Sequence, residues 1–193
     1  LSCADTLIDF VFAEMHHPFK SELWTPGEAD YTGDVVAMME SFSESCGKPT
    51  IHFFGHTHAY SRGQSRDHDH LWVNVATSGG NIDYWGEFSN ADYEEFIISQ
   101  DEYGFVMVEV TAGAQPKFVL KRLSFGDQFN PGGSTETDMV TIRKNNAPPT
   151  TPYPLFPLAT DTVSSVCTML KADPFADPDG DEFGAAHWQV STD

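Results

Sequence analysis

Four histidines in two short segments are the residues best placed to do chemistry: His16 and His17 in EMHHPF, and His56 and His58 in GHTHAYSR. A neutral imidazole offers a lone pair to a transition metal, and an HxH pair on extended backbone turns both rings to the same side. A cation held this way acts as a Lewis acid and acidifies its bound water, so the chemistry that follows is metal-assisted hydrolysis. His16, His56 and His58 are the candidate ligands, with His17 either shaping the turn before Pro18 or facing a substrate. An HxH pair alone is a weak signal. The order apolar run, MHHP, helical stretch, apolar run, GHTH is what strengthens it.

Those rings need rigid supports, and the flanking sequence predicts them. Leu7–Ala13 (LIDFVFA) and Thr50–Phe54 (TIHFF) are short, nearly continuous apolar runs, as in strands buried on both faces. Between them, Thr32–Cys46 has helical spacing, with Val35, Val36, Met39 and Phe42 on one face. Thr32 or Asp34 can cap its start and Gly47 its end. Strand, helix, strand predicts a right-handed crossover in an α/β sheet, with the histidine segments beyond the carboxyl ends of the strands. Gly55 is expected to supply the tight turn at GHTH. Further strands are expected at Leu71–Thr77, Tyr103–Val110, Lys117–Leu123 and Met139–Arg143. Residues 147–157, APPTTPYPLFP, carry five prolines and read as an extended linker without regular structure. Three segments result: 1–146, the 147–157 linker, and 158–193 as the start of a β-rich module.

Bulk properties bound the partners. The chain has 193 residues, 40% of them hydrophobic, and a net charge of -19 with a pI near 4.5. That charge repels nucleic acid and anionic membranes. No run of 18 apolar residues predicts a membrane span, and no signal-peptide pattern is read within the chain. The three cysteines, Cys3, Cys46 and Cys167, are scattered and read as thiols or one disulfide rather than a metal site.

FAEMHHPF resembles the histidine motif of the calcineurin-like metallophosphoesterases, and GHTHAYSR resembles their GHxH motif in its purple acid phosphatase form. ATSGGNIDYW followed by YGFVMVEV is similar to the closing segment of that branch, and the likeness runs over residues 7 to 145. The resemblance implies the C-terminal half of an α/β metallophosphoesterase β-sandwich flanked by helices. It also implies a centre of two metals (Fe, Zn or Mn) bridged by hydroxide, with His16 and His56 on one metal and His58 on the other. The implied activity is phosphate ester hydrolysis on a phosphorylated small molecule, acid phosphatase-like; a phosphodiesterase or nucleotidase of the same superfamily is the alternative. No DxH or GNH[DE] motif occurs here, and the GD pairs at Gly33–Asp34, Gly126–Asp127 and Gly180–Asp181 all follow the HHP motif, whereas the family's acidic ligands lie upstream of it. The missing N-terminal half of the domain is therefore an expected partner, and this chain alone is expected to be inactive. A non-catalytic surface-protein scaffold is the competing reading. A secreted or cell-surface location is expected.

Lesser signals have plainer alternatives. Tyr60, Arg62 and Asn81 are candidate substrate contacts, with packing at the base of the loop equally compatible for the first two. Asp83 and Tyr84 are candidate pocket wall. Asp67, His68, Asp69 and His70 read as a solvated loop, and His52 as a core or cross-strand residue. Asp177, Asp179 and Asp181, with Glu182, alternate in DPDGDE and are a candidate calcium site. Their glycine falls at the wrong position for an EF-hand, which leaves an acidic turn as the alternative. The same stretch is similar to the opening of Ig-like or fibronectin-like modules.

Overall fold

The computed structural model describes residues 3–164, 166–181, 183, 186 and 188, and Glu182 lies outside them. It is a mixed α/β structure, mostly sheet with one α-helix among the described residues, and it divides into the units Leu1–Asn145 and Asn146–Asp193.

In the first unit, β1 (Val11–Glu14), α1 (Gly33–Cys46) and β2 (Thr50–Phe54) form the crossover, with β1 and β2 paired in parallel. β3 (Tyr60–Gln64), β4 (His70–Val75) and β5 (Phe96–Gln100) complete a five-stranded sheet of order β1-β2-β4-β3-β5. A second sheet follows, β6-β7-β8, from Gly104–Thr111, Lys117–Gly126 and Pro131–Arg143. Strand alternation then sorts the side chains. Ile51, Tyr60, Leu71 and Val73 meet Phe118 and Leu120 of the second sheet in one buried cluster, while Phe54 and Trp72 meet Val36 of α1 in another.

The structure meets some expectations and corrects others. β1 is shorter than Leu7–Ala13 and is an edge strand of alternating exposure, with Phe12 42% exposed, rather than buried on both faces. Gly47 closes α1 in the left-handed region at φ 58°, as its lack of a Cβ allows. Thr32, however, spends its hydroxyl on the Ala29 carbonyl and does not cap the start, and Val35 faces outward while Ser43 is buried. A disulfide joins Cys3 to Cys46 at the end of α1, and Cys167 is an exposed thiol. His70 is not in a loop: it opens β4 and is fully buried, leaving Asp67 and Asp69 exposed. Among the described residues no helix is long and apolar enough to cross a membrane.

In the second unit, the proline-rich segment is not free of regular structure. β9 (Pro154–Phe156) pairs with β10 (Lys171–Ala172), and the Tyr153 amide donates to Asp173. A two-stranded ladder needs few amide donors from β9, so Pro154 is tolerated.

Candidate metal centre

Two loops at the carboxyl ends of β1 and β2 bring the imidazoles together. His16 and His17 follow Glu14, and Gly55 donates its amide to the His16 carbonyl at 3.1 Å, which ties the loops to each other. His16, His17 and His56 present ring nitrogens that all lie within 4.8 Å of one another, the single such cluster of metal-ligating side chains among the described residues. His16 Nε2 stands 3.2 Å from His56 Nδ1. Two nitrogens on one tetrahedral zinc, each about 2.0–2.1 Å from it, are about 3.3 Å apart. The geometry therefore suits one cation between these two rings, with His17 close by.

His17 is steered by Tyr31, whose hydroxyl lies 2.8 Å from its Nδ1. His56 is covered on one side by Trp24, stacked at 5.3 Å between ring centres. Burial, and then the neighbouring His17, His16 and His58, lower the pKa of His56 and keep it in the neutral form that can ligate. The left-handed residue of the loop is His56 itself, at φ 66°, and not Gly55.

His58 lies outside the three-ring cluster. Its Nδ1 donates to the Asn81 carbonyl at 2.6 Å, which fixes the tautomer and leaves the Nε2 lone pair free. Asp83 takes the His58 amide at 2.6 Å and returns its own amide to the His58 carbonyl at 3.0 Å. The ring is packed closely by Gly80, where an added Cβ would sit 3.0 Å from His58 Cε1. Asn81 thus contributes its backbone, and Asp83 is a clamp rather than pocket wall.

Tyr60 and Arg62 do not reach the site. They sit on the face of β3 that meets the second sheet, where Asp138 accepts the Tyr60 hydroxyl at 2.6 Å and Arg62 Nε and an Nη at 2.5 and 2.9 Å. Burial by itself would raise the Asp138 pKa, but the Arg62 and Tyr60 hydrogen bonds outweigh it and hold the carboxyl below its ordinary value. These two residues are packing at the base of the loop. Asp177 and Asp179 likewise turn to the backbone, accepting amides of Asp179 and Ala147 at 2.8 and 2.7 Å, and among the described residues no cluster of ligating side chains forms there.

Sequence reasoning missed the roles of Trp24 and Tyr31. Both come from the loops after Pro18, and nothing in their spacing marks a ring contact with a histidine about thirty or fifteen positions away, because tertiary folding creates it.

No family model matches the chain, and no curated protein matches it. Among solved structures it is similar to GAP50, the anchor in the inner membrane complex of Plasmodium, at 13% identity and a TM-score of 0.47, over 72% of this chain and 39% of that one. The chain thus spans well under half of that structure's length, and a likeness so distant says nothing of chemistry. The expected secreted or cell-surface location finds no support in this comparison.

Proposed function

We propose that this chain supplies the imidazole ligands of a metal centre that hydrolyses phosphate esters. The observation that carries the reading is the convergence of His16, His17 and His56, with 3.2 Å between His16 Nε2 and His56 Nδ1, at the open carboxyl ends of parallel strands. The motif resemblance in the same residues supports it. His16 and His56, with His17 adjacent, would hold one cation; His58, oriented by Asn81, would face a second. An all-nitrogen donor set suits zinc or iron better than manganese, which prefers oxygen. When bound, the cation supplies Lewis acidity and a more acidic water. His16, His17 and His56 would keep it at the mouth of the strands, and Tyr31 and Trp24 hold two of those rings in place.

The cluster contains imidazoles only. Carboxylate ligands for a binuclear centre would come from a segment pairing with the free edge of β1, beside a groove of about 840 Å³ lined by Phe12, Met15, His16 and Phe53. The fold is accordingly read as the carboxyl half of a metallophosphoesterase sandwich, with residues 158–193 opening an Ig-like module.

Isothermal titration of the metal-free chain with Zn²⁺, followed by orthovanadate as a phosphoryl mimic, tests the proposal. Stoichiometric zinc uptake and zinc-dependent vanadate binding are expected. No zinc uptake would remove the metal centre, and zinc uptake without vanadate binding would remove the phosphoester reading.

A further inference from the structure

Two histidines in the Gly55–Ala59 loop need fixed directions, yet the loop lies between β2 and β3, which are not neighbours. It must cross the carboxyl end of β4, the strand that separates them. Asn74, on β4, sits beneath that crossing with 1% of its surface exposed. Its Nδ2 donates to both the carbonyl and the hydroxyl of Thr57, each at 2.9 Å, and its Oδ1 accepts the Ala76 amide at 3.1 Å. Thr57 is fully buried and stands between His56 and His58.

From this arrangement we propose that Asn74 is the positioning residue of the site: it grips Thr57 so that His56 and His58 leave the backbone at set angles. The reason is energetic as well as geometric. His56 occupies a left-handed conformation at φ 66°, which crowds the Cβ of any residue but glycine. A loop free to relax would abandon that angle. Asn74 removes the freedom by committing both amide hydrogens to one residue of the loop, while Asp83 holds the neighbouring His58 amide from the other side. A buried asparagine that merely satisfied itself would leave ring orientation indifferent to its loss.

The inference rests on the metal-centre reading for its consequence, but not for its geometry, and two readouts keep them apart. Asn74→Ala and the isosteric Asn74→Asp, which swaps the donor for an acceptor, are compared with wild type in Co²⁺ titration followed by visible absorption. Val140→Ala, in the second sheet against the core, is the control for lost stability. The Asn74 variants are expected to bind Co²⁺ about 10–100-fold more weakly and to show an altered d–d spectrum. Val140→Ala should change neither, even where its Tm falls as far. Thr57→Val, which keeps the carbonyl contact, should show a smaller loss and covers the case in which both Asn74 variants fail to fold. In the metal-free protein, the ring ¹⁵N–¹H correlations of His56 and His58 should broaden or double in the variants. Affinity and spectrum within two-fold of wild type would overturn the role. If wild type takes up no Co²⁺, the metal-centre proposal fails while the ring correlations still decide: unchanged signals in the variants would overturn the positioning role.

Discussion

The molecule contains two groups of touching imidazoles, built from the same residue type on adjacent strands, with opposite consequences. His16, His17 and His56 lie in loops past the strand ends, exposed or half-buried, and their nitrogens face a shared open point. His52 and His70 lie within β2 and β4, on the faces turned to α1, and both are fully buried. There the Thr50 hydroxyl donates to the Met39 carbonyl and accepts from His70 Nδ1 at 2.7 Å, and His70 Nε2 accepts from His52 Nδ1 at 2.8 Å. This chain of bonds ends at His52 Nε2, buried with no partner among the described residues. The buried pair has spent all but that one ring nitrogen on structure, whereas the exposed cluster keeps lone pairs available. His16, His17 and His56 fall two or three residues past the ends of β1 and β2, whereas His52 falls two before the end of β2 and His70 opens β4, and that placement separates a ligand from a core residue.

The comparison can be broken most directly at the exposed cluster. His16→Ala combined with His56→Ala is expected to weaken Zn²⁺ binding by about 1,000-fold or more while thermal unfolding changes little, since neither ring is buried in the core. Calorimetric titration and a melting curve read both halves, and unchanged zinc affinity would end the ligand assignment. The buried pair should respond to acid instead. Burial first, and then the neighbouring imidazole, hold His52 at about 3, and burial is also the first cause holding His70 at about 4, against 6.5 for a free imidazole. Both pKa values are depressed, so the unfolded chain binds these protons first. The stabilisation is complete above about pH 6.5 and is lost as pH falls toward 4, on the order of 3–6 kcal/mol for the pair. Urea unfolding at pH 7 and pH 4 measures it, and His52→Phe should flatten the slope; a slope that survives that change would place the titration elsewhere.

Smaller effects sharpen the same division between site and core. Asp138→Ala should cost about 3–5 kcal/mol, because it strands the buried Arg62 guanidinium, and should leave zinc affinity untouched. A loss of affinity equal to that seen at His56 would restore Arg62 to the site. Trp24→Ala removes the ring stacked on His56, worth about 0.5–1.5 kcal/mol, and should weaken zinc binding about 3–10-fold. Affinity equal to wild type would show that the stack does not orient His56.

Much of the scaffold was legible in the residues. β2, α1 and its glycine stop, β6 and β7 stand close to where apolar period and turn residues place them. β3 and β5 went unread because Tyr60–Gln64 carries Arg62 and Gly63, and Phe96–Gln100 lies among acidic residues, so neither shows clean alternation. β9 went unread because proline count masks a strand that needs few amide donors. The histidine cluster was partly legible: His16 and His56 meet as the motifs predict, His17 joins them, and His58 stands apart with its own partners.

By itself, the sequence determined local matters: which runs are apolar enough to be strands, where the helix ends, that two histidine segments follow two strands, and that a charge of -19 repels polyanions. Those depend on neighbours within a few positions. Only the tertiary structure decided that Tyr60 and Arg62 turn to Asp138, that His52 finds His70, that Trp24 covers His56 and that Asn74 lies under Thr57. Each is a contact between residues 17 to 78 positions apart, set by strand order and register, and these emerge only when the two sheets and the helix bury their faces together.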